Sequence, residues 1–116
     1  MGRKLSGLEP TPFASVRDKE GTVFVGTLVG GPREVKLKKG KGYVYDFKAE
    51  GGNAPIQIKR DGKIENVNVD KGGLVVVFAP TVLHNALMKA TAGMRLQITY
   101  LGFPDEKYHN FDVEVL

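Results

Sequence analysis

The chain has no cysteine and no tryptophan among its 116 residues, and it has only two histidines and two serines. Without cysteine, a disulfide, a thiolate zinc site and a thiol nucleophile are all excluded, and a reducing compartment such as the cytoplasm is favoured. No apolar run approaches the roughly 18 residues that a membrane span requires, and residues 1–21 lack the apolar centre of a signal peptide. We therefore expect a cytoplasmic protein with no membrane partner.

Few residues are suited to catalysis. His84 and His109 lie far apart in the sequence, and no cluster of metal ligands stands near either of them at the usual spacing. The adjacent carboxylates at 105–106 are typical of solvated charges in a turn. The glycines of Gly30-Gly31-Pro32 do not open a helix with the lysine that nucleotide sites use. The sequence therefore predicts a protein that is not an enzyme and that uses no cofactor and no metal.

Lysine and arginine exceed aspartate and glutamate by 17 to 13, and the surplus is confined to the middle of the chain. From Arg33 to Lys63, nine basic residues stand against four acidic ones, whereas the remainder has eight basic and nine acidic residues. One face of the folded protein would then carry a positive potential, as expected of a protein that binds polyanions. A solvated segment that keeps the protein soluble is the alternative, and charge alone does not separate the two.

Alternating and β-branched segments predict a domain built of strands. The first strand begins at Thr22, contains a bulge at Gly26 and is closed by Gly30-Gly31-Pro32. Residues 33–42 are predicted to be a strand tip or a basic hairpin loop. The second strand is Tyr43–Ala49, and its period of two places Tyr43, Tyr45 and Phe47 on one face.

The second half of the chain predicts a hairpin, a helix and further strands. Asp61-Gly62 lies between alternating apolar residues, which is a strong hairpin signal. The apolar run Leu74–Phe78 predicts a third strand that is buried on both faces. A helix follows, with Thr81 as its N-cap and Gly93 at its C-terminal end. The last two strands are predicted at 95–101, with Leu96, Ile98 and Tyr100 inward, and at 108–116.

This order of elements predicts an all-β fold with one short helix. A helix between the third and fourth strands is the arrangement of the five-stranded OB-fold, a Greek-key β-barrel, here with hairpin insertions. Residues 1–21 are predicted to be a flexible or peripheral leader, and residues 22–116 the OB-fold nucleic-acid-binding domain.

A single-stranded nucleic acid requires cations along its phosphates and flat rings for its bases. In an OB-fold the ligand crosses the second and third strands, between the loops that join the first to the second and the fourth to the fifth strand. Phe47 is expected in the core, whereas Phe103, in a turn, is expected to be exposed. The predicted nucleic-acid-binding residues are Lys36, Lys38, Lys39, Lys41, Tyr43, Tyr45, Lys48, Lys59, Arg60, Lys63 and Phe103.

Three segments resemble the small single-stranded DNA-binding proteins of bacteriophages. They are the closing strands from Gly93 to Val115, the helical Thr81–Leu87, and the opening strand with its basic loop and Tyr-Val-Tyr-Asp-Phe. The resemblance spans about residues 22–115. It implies an OB-fold that coats single-stranded DNA during replication or recombination with little sequence preference, in the host cytoplasm, alongside replication or recombination proteins. Members of this kind often end in an acidic tail that recruits partners, whereas here Asp112 and Glu114 fall within a predicted strand.

Two alternatives remain open at this point. An RNA-binding protein of the cold-shock type would share the fold and differ in its ligand. A structural or protein-interaction module of a virion would use its barrel edges to pair with another chain. A homodimer is compatible with each of these functions, and nothing in the sequence specifies one.

Overall fold

A computed structural model describes residues 11–37, 40–103 and 108–116, with the side chain of Arg60 left aside. The strands are β1 (Phe13–Ala14), β2 (Val23–Leu37), β3 (Gly40–Gly52), β4 (Ile56–Arg60), β5 (Lys63–Asn66), β6 (Leu74–Ala79), β7 (Arg95–Gly102) and β8 (Asn110–Val115). One helix, α1 (Thr81–Leu87), lies between β6 and β7. The prediction of an all-β fold with one short helix is confirmed.

The strands form one open sheet in the order β5-β4-β1-β6-β3-β2-β7-β8. Strands β2, β3 and β6 pair antiparallel in succession, and β7 returns to pair with β2. This is the Greek-key order, in which a fourth strand lies beside the first. The sheet has eight strands instead of the five predicted for the barrel, because β1 and the β4–β5 hairpin extend it beyond β6.

The core lies on the inward face of this curved sheet, as strand alternation requires. Phe24 of β2 meets Phe47 of β3 edge to face, with ring centroids 5.5 Å apart. The helix adds Leu83 and Leu87, which are both buried. The inward alternation predicted for β7 is confirmed, since Leu96, Ile98 and Tyr100 are all buried.

Strand β2 does not end at Gly30-Gly31-Pro32, where its end was predicted. It continues to Leu37, with register shifts between Leu28 and Arg33 that bend the strand instead of ending it. Gly31 has a φ of 124°, and a Cβ there would lie 2.9 Å from the ring of Tyr45, so the close approach requires glycine. The predicted bulge at Gly26 is confirmed by a further register shift.

The segment before β2 is part of the sheet. Strand β1 pairs antiparallel with β4 and parallel with β6, and Val16 is buried in the core. Residues 13–16 of the predicted leader thus belong to the sheet and its core, because the short strand fills the position between β4 and β6. Residues 1–10 lie outside the described part of the chain.

Helix α1 is shorter than predicted and differs at both ends. Pro80 is the N-cap residue, and no side chain caps the helix, so the predicted N-cap role of Thr81 is wrong. The helix ends at Leu87 because the next amides bond three residues back, from Lys89 to Ala86 and from Ala90 to Leu87. Gly93 instead lies in the turn before β7. No helix in the described ranges is long and apolar enough to cross a membrane.

Strand β6 is buried on one face only, which corrects the prediction of burial on both. Val75, Val77 and Ala79 point into the core, whereas Leu74 is 56% exposed and Phe78 is half-buried. The outward face stays open because, in the described part of the chain, no second sheet packs against it. Aromatic and aliphatic side chains therefore reach the surface at β6.

The hairpin predicted around Asp61-Gly62 is confirmed. Strands β4 and β5 pair from Arg60–Lys63 to Gln57–Asn66. Asp61 and Gly62 have φ values of 51° and 78°, as a two-residue type I′ turn requires.

Candidate nucleic-acid interface

The tip of the β2–β3 hairpin carries exposed lysines, as predicted. Lys36 and Lys41 are paired directly across the two strands, where like charges repel each other. A carboxylate oxygen of Glu34 lies 3.7 Å from the Lys41 ammonium and partly compensates it. An approaching phosphate would relieve the repulsion. The predicted site residues Lys38 and Lys39 lie outside the described residues.

The three rings of β3 have different environments. Phe47 is fully buried, as expected. Tyr45 is 1% exposed, and its hydroxyl lies 2.9 Å from Nδ1 of His84, while burial raises the pKa of that hydroxyl. Its ring is sealed in the core, so the prediction that Tyr45 stacks on a base is wrong. Tyr43 lies at the end of the strand beside α1, where it stays half-exposed and stacks on His84 with centroids 4.0 Å apart.

A continuous outward face, here called the outer wall, extends over β3, β6, β1 and β4. Paired residues share a face of the sheet. Lys48 is paired with Leu74, Val44 with Phe78, and Phe13 with both Val76 and Gln57. Lys59 is two residues from Gln57 and therefore lies on the same face. The outer wall thus joins Phe13, Lys48, Lys59, Leu74, Val76 and Phe78.

Lys63 does not belong to this wall. It is paired with Arg60, whereas Lys59 is paired with Ile64, so Lys59 and Lys63 lie on opposite faces of the hairpin. Lys59 and Lys63 were both predicted to bind the nucleic acid, but they do not share a surface, because a hairpin alternates its side chains between its two faces. Of the other predicted cations, Lys48 and Lys59 are exposed on the wall, and the side chain of Arg60 lies outside the description.

Two residues that the sequence did not indicate lie together on the outer wall. The guanidinium carbon of Arg17 is 5.8 Å from the centroid of the Phe78 ring, which is a cation–π distance. A Cβ on Gly42 would come within 2.6 Å of the same ring, so the ring rests on bare backbone. If β6 had been predicted to alternate between a buried and an exposed face, Phe78 would have been assigned to the exposed face. Nothing indicated Arg17, which follows an irregular segment.

The loop between β7 and β8 presents a second aromatic group. Phe103 is 43% exposed, as predicted, and it stacks on His109 with ring centroids 4.5 Å apart. Nδ1 of His109 lies 2.7 Å from the Tyr100 hydroxyl. Burial lowers the pKa of His109, and the charge of Arg17 lowers it further.

The outward carboxylates of β3 are neutralised by arginines. Asp46 binds Arg33 through two hydrogen bonds of 2.6 and 3.0 Å, which raise the pKa of Arg33. Glu50 accepts hydrogen bonds from Thr27 and from Nε of Arg95, and these lower the pKa of Glu50.

The cations of the outer wall are left without such partners. Arg17, Lys48 and Lys59 form no ion pair with any described residue. Within the described part of the chain these three cations thus have no ion-pair partner, and that of Arg17 lies next to the Phe78 ring.

In the described ranges, no three His, Asp or Glu side chains are grouped so as to hold a metal ion. Comparisons with protein-family models, with curated proteins and with solved structures find no match to this chain. Inferences about function therefore depend on the geometry of the outer wall and its neighbouring loops.

Proposed function

We propose that this protein binds single-stranded DNA with little sequence preference, through the outer wall of an OB-fold. The order of the strands supports this assignment. Strands β2, β3, β6, β7 and β8 would be the five OB strands, with α1 between the third and the fourth. Strand β1 and the β4–β5 hairpin would be additions to that fold.

The position of Arg17 and Phe78 carries the proposal. An OB-fold binds its ligand across the second and third strands, between two bordering loops. Under this assignment those strands would be β3 and β6, and the loops would be the basic hairpin tip and the loop between Phe103 and His109. Phe78 lies on β6, and the guanidinium carbon of Arg17 is 5.8 Å from the centroid of its ring. Under the same assignment, the ring lies on one of the strands with which an OB-fold would hold its ligand, and the cation lies next to it.

The chemistry favours an unpaired strand over a duplex. A ring such as Phe78 gains roughly 1–3 kcal/mol by stacking on a base, and only an unstacked base is available to it. Every base offers a π-face, and the lysines contact phosphates that all nucleotides share. Binding is therefore tolerant of sequence, as expected of a protein that coats DNA during replication or recombination in the cytoplasm.

Fluorescence anisotropy with a labelled oligo-dT, at several salt concentrations, tests the proposal. If Arg17, Lys48 and Lys59 each neutralise one phosphate, they contribute a slope of about −2 to log K against log salt, at roughly −0.7 per contact for single strands. Binding that is insensitive to salt, or equal for a duplex of the same length, would refute the proposal. An RNA oligonucleotide of matched sequence that bound more tightly would instead identify an RNA-binding protein.

A further inference from the structure

A cleft of about 410 Å³ lies where β3 and β6 meet the start of α1. Three rings line it, those of Tyr43, Phe78 and His84, together with Lys41 and Thr81. This volume lies within the range of roughly 300–1,000 Å³ of small-molecule sites. The cleft adjoins the outer wall, because Phe78 belongs to both.

The aromatic side of this cleft is held in place before any ligand arrives. Tyr43 and His84 are parallel to within 6°, with centroids 4.0 Å apart. Nδ1 of His84 lies 2.9 Å from the hydroxyl of Tyr45, whose ring is fixed in the core. A ligand that stacks there orders few additional rotamers, so little of the binding free energy is lost to ordering.

The polar groups of the cleft fit a nucleotide unit. Lys41 supplies an ammonium group that suits a phosphate. The Thr81 hydroxyl both donates and accepts hydrogen bonds, so it can contact the edge of any base. A flat heterocycle with an adjacent phosphate matches three rings and one cation better than an aliphatic or acidic ligand does.

We infer that this cleft takes up one unstacked base of the bound strand, between the Tyr43–His84 pair and Phe78, with Lys41 at the neighbouring phosphate. The inference depends on the proposed function and adds a discrete base-binding position to it. A strand on the outer wall would turn one base inward at its hairpin end, and a paired base in a duplex could not follow.

Photocrosslinking of the unmodified protein tests this position directly. An oligo-dT that carries 5-iodouracil is irradiated in the complex, and the modified residue is located by mass spectrometry. We expect crosslinks at Tyr43 or His84, which line the cleft and do not belong to the outer wall. Crosslinks confined to other surfaces would overturn the inference.

Affinity measurements are a second test of the base-binding cleft. Tyr43→Leu removes one stacking partner and should weaken oligo-dT binding by about 5- to 150-fold, whereas Tyr43→Phe keeps the ring and should bind like the parent protein. Equal affinity of folded Tyr43→Leu, with salt-dependent binding intact, overturns the cleft and leaves the proposed function standing. A parent protein that binds no single strand at all overturns both.

Discussion

Replacing Phe78 by leucine tests the stacking contribution of the ring that the outer wall and the cleft share. The ring is half-buried, rests on Gly42 and is covered by Arg17. Leucine keeps an apolar side chain at this position, so we expect a stability cost of about 1 kcal/mol. The lost stack is worth roughly 1–3 kcal/mol, which corresponds to a 5- to 150-fold higher Kd at 1.4 kcal/mol per tenfold change.

The assay is anisotropy with labelled oligo-dT at four or five salt concentrations, with thermal unfolding measured alongside. The salt slope should stay unchanged, because the substitution removes no charge. Phe24→Leu is the matched control, since that ring is buried against Phe47 and its loss should lower Tm without changing the affinity of the folded protein. A folded Phe78→Leu variant that binds within twofold of the parent protein would refute stacking on the wall.

Three further predictions concern charge, backbone and pH. Lys59→Gln should make the slope of log K against log salt less steep by about 0.7, because one phosphate contact is lost. Lys63→Gln, on the opposite face of the hairpin, should leave that slope unchanged. Equal effects of the two variants in salt titrations would argue against binding at the outer wall. Gly62→Ala should destabilise the protein by about 1–2 kcal/mol, because alanine is strained at a φ of 78°. Gly51→Ala should not destabilise it, because there is open space around a Cβ at that position. Urea unfolding of the two variants compares their stabilities. The folded-state pKa of His109 lies below its ordinary 6.5, so the stability it contributes is present above that pH and is lost as the pH falls through the folded-state pKa. Urea midpoints between pH 7.5 and 5 should therefore fall with pH, and a variant His109→Gln with an equally steep fall would show that another group is responsible.

The local conformation of much of the chain could be predicted from the sequence. Alternation in Arg95–Leu101 and the Asp61-Gly62 turn depend on neighbouring residues alone, so their patterns indicated β7 and the β4–β5 hairpin. The pattern of neighbouring residues likewise predicted that Phe47 is buried and that Phe103 is exposed. It also placed a basic hairpin tip between the first two strands.

The parts that could not be predicted depend on contacts between distant segments. Tyr43 and Tyr45 share a periodic pattern, yet Tyr45 is buried with its hydroxyl beside His84 of α1, whereas Tyr43 stacks on the same histidine and stays at the surface. Arg17 follows a short segment with no period, and it reaches Phe78 because β1 pairs with β6.

The sequence by itself therefore determined which residues alternate, where the β4–β5 hairpin turns, and that basic residues concentrate between Arg33 and Lys63. Only the tertiary structure decided which lysines lie on the same face of the sheet, and which aromatic ring lies on that face with them. Side-chain alternation is set by the bonds of each strand, whereas the neighbours of a strand are set by pairing and burial across the whole sheet.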